Sequence, residues 1–270
     1  MTGSTCVLTD IVDLDRYPIH QLGTAPGAQL VARCRASLAS TGVCELAGFL
    51  LPGAIRRAIE LALSLLDRAW ASDQGHNVYF EPIPDEAAVD DPLAMVQHSA
   101  KRAIAYDLLP TNLPLRVLYE SPEMTAFVAA ALGRGEIFRS ADPLDALEIA
   151  VFTPGDQLGW HFDNSEFSVT IMLQDALDGG QFDYVPGLRS HDDPNHDGVS
   201  RFLRGVASVA PIRLDPAPGT LSLFRGRLAL HRVTRVAGVR DRINAVLTYG
   251  ENRGMQLSEL TRQLFYGRLA

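Results

Sequence analysis

Apolar residues recur at helical spacing along the first half of this chain and in short, evenly spaced runs along the second. From about Pro26 to Gly133 the helical period dominates. AQLVARCRASLAS has apolar side chains at helical intervals. PGAIRRAIELALSLLDRAW is the stronger case, with Ile55, Ile59, Ala62, Leu63 and Leu66 on one predicted face behind Pro52 in the first turn. Between them, GVCELAGFL reads as a short buried strand. DPLAMVQHSAKRAIAYDLL and SPEMTAFVAAAL predict two further helices, each opened by an acidic or hydroxyl residue followed by proline.

Beyond about Glu136 the period shortens. LEIAVFT, GWHFD, SVTIMLQ, GGQFDYVP, SVAPIRL, TLSLFRG, ALHRVTRV and RINAVLTY are rich in Val, Ile, Thr, Tyr and Phe and bounded by Gly, Pro or Asp. Regularly spaced short strands favour a sandwich or barrel over a doubly wound sheet. RSHDDPNHDGVSRFLRG interrupts the series and is expected to be a long polar surface loop, a lid beside a barrel mouth. No internal repeat or low-complexity tract divides the chain. Residues 1–270 are therefore expected to form one α+β domain. Its parts are a mostly helical buttress over about 1–135, a β core over about 136–250, and a C-terminal helix within 251–270.

Composition narrows the partners more than the chemistry. With 47% apolar and 21% charged residues the chain is an ordinary globular protein, and its net charge of -8 offers no basic footprint for nucleic acid or an anionic membrane. Cys6, Cys34 and Cys44 match no zinc or disulfide spacing. The opening MTGSTCVLTDIVDLDRYP has neither the basic nor the apolar segment of a secretory signal, and no apolar run reaches the ~18 residues of a membrane helix. A soluble, cytoplasmic protein is the expectation.

One constellation carries chemistry. His161 lies in LGWHFDNSEF, two residues before Asp163. Side chains at i and i+2 of a strand point to the same face, so imidazole and carboxylate converge on one cation while Trp160 and Phe162 pack behind. His231, in the apolar strand LALHRVTRV, is the candidate third ligand. Two histidines and one carboxylate leave three positions open on iron(II), enough for a bidentate 2-oxo acid and dioxygen. Eleven residues beyond His231, Arg242 enters the strand RINAVLTY. A dicarboxylate chelating the iron needs its far carboxylate held, and an arginine fork does this bidentately. Arg240, nearer the turn at Gly238, is the second candidate for that role, and Thr153 is grouped with them as a co-substrate contact.

Substrate contacts are assigned from position. Asn164, Ser165 and Glu166 follow the ligand strand at the mouth. Arg102, on the predicted helix AKRAIAYDLL, is a candidate for a substrate carboxylate, and Asp145 and Glu148 for a substrate amine. Thr248 lies six residues after Arg242 in the same strand and can face the same way. Each of these residues also fits a solvated or capping role. His191, Asp192, Asp193, His196 and Asp197 mimic a second metal site, but they fall in the polar loop and are assigned none. His20, His76 and His98 carry no pattern.

His161-Phe-Asp163, His231 and Arg242 together resemble the pattern of iron(II)/2-oxoglutarate oxygenases of the double-stranded β-helix fold. GGQFDYVP is similar to the Gly-Gly strand that follows the first ligands in those enzymes, and APGTLSLFRG to the strand pair before the distal histidine. The resemblance covers about residues 136–250. RSADPLDALEIAVFTPGDQLGWHFDNSEFSVTIMLQ further resembles the subgroup acting on free amino acids and similar metabolites, which includes radical halogenases and their hydroxylating relatives. The resemblance implies a jelly-roll, cupin-like core, iron(II) on His161, Asp163 and His231, 2-oxoglutarate anchored on Arg242, and dioxygen as oxidant. In the halogenases a small residue replaces the ligand carboxylate so that a halide can bind. Asp163 implies oxygen transfer instead. The competing readings are an iron oxidase of the same fold that does without 2-oxoglutarate (oxidative cyclisation, for example), a zinc or manganese barrel, a protein side-chain hydroxylase, and a non-enzymatic binder. Arg242 speaks against the first two, since without the 2-oxo acid it has no required partner.

Overall fold

A computed structural model describes residues 6–269; the segment MTGST, at the start of the N-terminal reading, lies outside the described residues. The helices are α1 (Ala25–Thr41), α2 (Pro52–Ser64), α3 (Pro114–Glu120), α4 (Pro122–Leu132), α5 (His196–Leu203) and α6 (Glu259–Tyr266). The principal strands are β1 (Val43–Leu46), β2 (Trp70–His76), β3 (Gln97–Ile104), β4 (Leu147–Phe152), β5 (Leu158–His161) and β6 (Ser168–Gln174). They continue with β7 (Phe182–Val185), β8 (Ile212–Leu214), β9 (Leu221–Phe224), β10 (Leu230–Val233) and β11 (Arg242–Leu247). Seven form one antiparallel sheet in the order β1-β9-β6-β11-β4-β3-β2, and four form a second in the order β8-β7-β10-β5.

Alternation along the large sheet separates core from site. Ile149 and Val151 of β4, Val169, Ile171 and Leu173 of β6, and Ile243, Ala245 and Leu247 of β11 are buried in one cluster. The same cluster takes Leu30 and Cys34 of α1, Ala54 and Ala58 of α2, and Phe127 and Val128 of α4. The intervening side chains, among them Glu148, Ala150 and Phe152, Thr170 and Met172, and Arg242, Asn244 and Val246, line a cavity closed on its other side by the small sheet. A strand period of two thus places hydrocarbon on the helical side and chemistry on the other.

Three sequence expectations change. DPLAMVQHSAKRAIAYDLL is not a helix: Gln97–Ile104 is strand β3, paired between the edge strand β2 and β4 in the large sheet. Its Ala, Lys, Arg and Gln favour helix locally, but the ladder hydrogen bonds on both sides prevail. The first half therefore contributes three strands to the large sheet, β1 as read from GVCELAGFL and β2 and β3 in addition. Helix α2 buries Ala54, Ala58 and Ala62, while Leu63 is exposed and Ile55 and Ile59 lie at the margin. Small residues let the helix approach the sheet closely. The polar segment from Arg189 contains α5, started by Asn195, whose side chain accepts a hydrogen bond from the Gly198 N–H; Val199 is fully buried beneath it. Among the described residues no helix is long and apolar enough to cross a membrane.

Candidate metal centre

His161 and His231 face each other as cross-strand partners on β5 and β10, with ring centroids 4.1 Å apart. Both are buried, at 5% and 4% exposure. His161 Nδ1 lies 2.8 Å from the Gly159 carbonyl oxygen and His231 Nδ1 lies 2.9 Å from that of Ala229. A carbonyl can only accept, so each imidazole donates from Nδ1 and turns Nε2 toward Asp163. Asp163, two residues past His161, sets Oδ1 3.6 Å from His161 Nε2 and 3.4 Å from His231 Nε2. The three donor atoms lie within 4.8 Å of one another, and no second such group forms among the described residues. Donors cis to one another on an ion ~2.1 Å away are about 3 Å apart, so a small contraction closes the site on a metal.

Electrostatics agree with that geometry. Burial, reinforced by neighbouring His231, pushes the His161 imidazole down to about 4, so it is neutral and able to ligate at pH 7. Burial alone would raise the Asp163 carboxyl, but His231 and then His161 hold it well below the usual carboxylate range. Aromatic rings fix the imidazoles: Phe182 stacks on His231, Phe224 meets it edge-on, and Phe80 meets His161 edge-on.

These residues open into a cavity of about 880 Å³, and Arg242 lines the same cavity. Only 4% of Arg242 is exposed, its Nε has no hydrogen-bond partner, and no carboxylate of the described residues pairs with it. Its guanidinium lies 5.4 Å from the Phe152 ring centroid, and burial pushes it down to about 10. An unpaired, buried arginine is costly, and an anion bound beside it in the cavity would offset that cost. Arg240 differs. It pairs with Asp175 at 2.8 Å and does not line the cavity.

The other candidates divide by strand face. Asn164, Ser165, Asp145, Glu148 and Thr248 line the cavity. Arg102 does not: it pairs with Val151, whose side chain faces the helices, and it donates to Asp156 at 3.0 Å and to Thr153. Thr153 is taken by that same cluster, outside the cavity. Glu166 also lies outside it, in an ion pair with Arg134. Residues without a local sequence signal complete the wall. Lys101, adjacent to Arg102 and so on the opposite face of β3, is paired with Glu148, and Phe265 and Tyr266 come from α6. The Tyr266 hydroxyl lies 3.0 Å from Asp145 Oδ1 and 2.9 Å from Glu148 Oε2. Reading β3 as a strand would have exposed Lys101; nothing local predicts the return of α6.

The sequence model of the Halogenase D family matches residues 105–265, more than half of the chain. The chain belongs to the Halogenase D family. Comparison with curated proteins gives no match. Among solved structures the chain is similar to a 2OG-Fe(II) oxygenase family oxidoreductase from Burkholderia pseudomallei. That match has a TM-score of 0.53 at 20% identity and covers 83% of this chain and 92% of that one. It is also similar to a Pseudomonas putida prolyl-4-hydroxylase (TM-score 0.51, 14% identity, 83% and 99% covered). A third likeness is to the epimerase SnoN in complex with Fe3+, alpha ketoglutarate and nogalamycin RO (TM-score 0.56, 16% identity, 83% and 84% covered). At these identities the likeness is one of fold.

Proposed function

We propose that the protein is an iron(II)- and 2-oxoglutarate-dependent oxygenase that hydroxylates an unactivated C–H bond of a free amino acid or similar small metabolite. The observation that carries this is Arg242, a buried cation without a partner in the cavity that His161, Asp163 and His231 also line. We take the two facing sheets as a double-stranded β-helix, residues 1–270 as a single domain, and the three donor residues as the iron ligands. Bound iron with 2-oxoglutarate and dioxygen supplies the oxidation. The chain's own work is to hold the donors, to neutralise the far carboxylate of 2-oxoglutarate at Arg242, to exclude water with the aromatic wall, and to aim the substrate.

Two further features support the finer reading. Asp163 offers a carboxylate where a halogenase of this subgroup needs room for a halide, so oxygen transfer is favoured although the family is named for halogenation. For the substrate, Asp145 and Glu148 share one region of the cavity wall, bridged by the Tyr266 hydroxyl, and Lys101 pairs with Glu148. Asp145 forms no ion pair among the described residues, which suits a substrate ammonium. A cavity of about 880 Å³ holds 2-oxoglutarate and one small molecule. The test is a screen of free amino acids and amines with iron(II), 2-oxoglutarate and oxygen, reading succinate release and product mass. A product heavier by one oxygen, unchanged by high chloride, is expected. Chlorinated product from the unmutated enzyme would sink the assignment of Asp163.

A further inference from the structure

The carboxylate of Asp163 is held unsymmetrically. Oδ1 faces the two imidazole Nε2 atoms, whereas Oδ2 accepts a hydrogen bond from the Ser168 hydroxyl. Gly226 packs against the same oxygen so closely that a Cβ there would overlap Oδ2, and the Asp163 N–H donates to the Gly226 carbonyl at 3.1 Å. The sheet register builds this socket. Ser168 opens β6 and pairs with Phe224 at the end of β9, and the chain reaches Gly226 two residues later. Ser168, Thr170 and Met172 alternate onto the cavity side.

From this arrangement we propose that Ser168 is a positioning residue that restricts Asp163 to one-oxygen ligation and so keeps a coordination position open for the co-substrate. The inference rests on the iron and 2-oxoglutarate reading above. Two imidazoles and one carboxylate oxygen occupy three of six positions, and a chelating 2-oxo acid plus dioxygen need the other three. A carboxylate free to turn both oxygens to the ion takes a fourth position, leaving too few. Ser168 ties back the oxygen that would do this, and Gly226 leaves room for the tied carboxylate. The hydroxyl thus acts on co-substrate binding through Asp163 and touches no reacting atom.

The experiment compares Ser168→Ala, Ser168→Thr and wild type, each saturated anaerobically with iron(II), by calorimetric titration with 2-oxoglutarate. Ser168→Ala is expected to bind 2-oxoglutarate about 10- to 100-fold more weakly, the range typical of losing an outer partner of a metal ligand. Its melting temperature should match wild type, and Ser168→Thr, which keeps the hydroxyl, should bind like wild type. Unchanged 2-oxoglutarate affinity in Ser168→Ala overturns the proposal, as does a loss that Thr fails to restore. A wild-type protein that binds no 2-oxoglutarate with iron present defeats the functional reading itself, a result separate from any difference between variants. Gly226→Ala gives an independent arm: displacing Oδ2 should weaken iron binding at least 10-fold without lowering the melting temperature, and unchanged iron affinity counts against the socket.

Discussion

Replacing Arg242 with Met should make the ligand-free protein more stable and less able to use its co-substrate. Burial moves the guanidinium from its usual 12.5 to about 10. At 1.36 kcal/mol per pH unit that is a desolvation cost of about 3 kcal/mol, partly offset by the Phe152 ring at 5.4 Å. The depressed value means that the folded chain gives up this proton more readily than the unfolded one. Below about pH 10 both remain charged, so the whole cost is present at pH 7 and is relieved only at higher pH. Methionine fills similar space without charge. Its apo form should gain about 1–3 kcal/mol, and each kcal/mol raises the melting temperature roughly 2–4 °C in a chain of this size. The co-substrate should invert the order. At 100 times its Kd, 2-oxoglutarate with a redox-silent metal stabilises wild type by about 2.7 kcal/mol, and it should leave Arg242→Met unmoved. The assay is thermal unfolding of both proteins with and without 2-oxoglutarate. A variant that is several kcal/mol less stable in the apo form, yet shifts normally with 2-oxoglutarate, would show that Arg242 is structural and refute the reasoning.

Other expected outcomes follow from the same geometry. Alanine at His161 or His231 should reduce iron(II) binding to background with folding intact by circular dichroism; retained stoichiometric iron would rule that histidine out as a ligand. Asp163→Gly should lose most hydroxylation and give at most weak halogenation by product mass spectrometry, because the surroundings of a halide must also be right. Burial and then the Glu148 charge push the Asp145 carboxyl up to about 7. An ammonium substrate should therefore bind more tightly as pH rises from 6 to 8, and Asp145→Asn should flatten that dependence. The folded state also holds the Asp145 proton more tightly than the unfolded chain, so its contribution to stability is lost as pH rises from about 4 to about 7. An Asp145→Asn variant whose unfolding retains the full pH slope would argue against this assignment.

What could be read before folding was set by local period. The short strands from Leu147 onward announced themselves by β-branched residues and turns, and His161 and Asp163 shared a face simply because they are two residues apart. Arg242 was distinguishable from Arg240 because one enters an apolar strand and the other sits by a turn, and the structure gives Arg240 to Asp175. Segments dominated by long-range pairing were not legible. Helix-favouring residues hid β3, so Arg102 looked available when its neighbour Lys101 is the one facing the cavity. Tyr266 reaches Asp145 and Glu148 across more than a hundred residues, a contact that no local pattern encodes. Ser168 gave no signal either, since its role depends on the register between β6 and β9.

The most direct test of the account is an anaerobic titration of the purified protein with iron(II) and then 2-oxoglutarate, followed by the absorption band that an iron(II)–2-oxo acid chelate produces. The account predicts one iron and one 2-oxoglutarate per chain, a band that requires both, and its loss in His161→Ala and in Arg242→Met at moderate 2-oxoglutarate. Iron binding with no band at saturating 2-oxoglutarate, or a band of equal affinity in Arg242→Met, would contradict it.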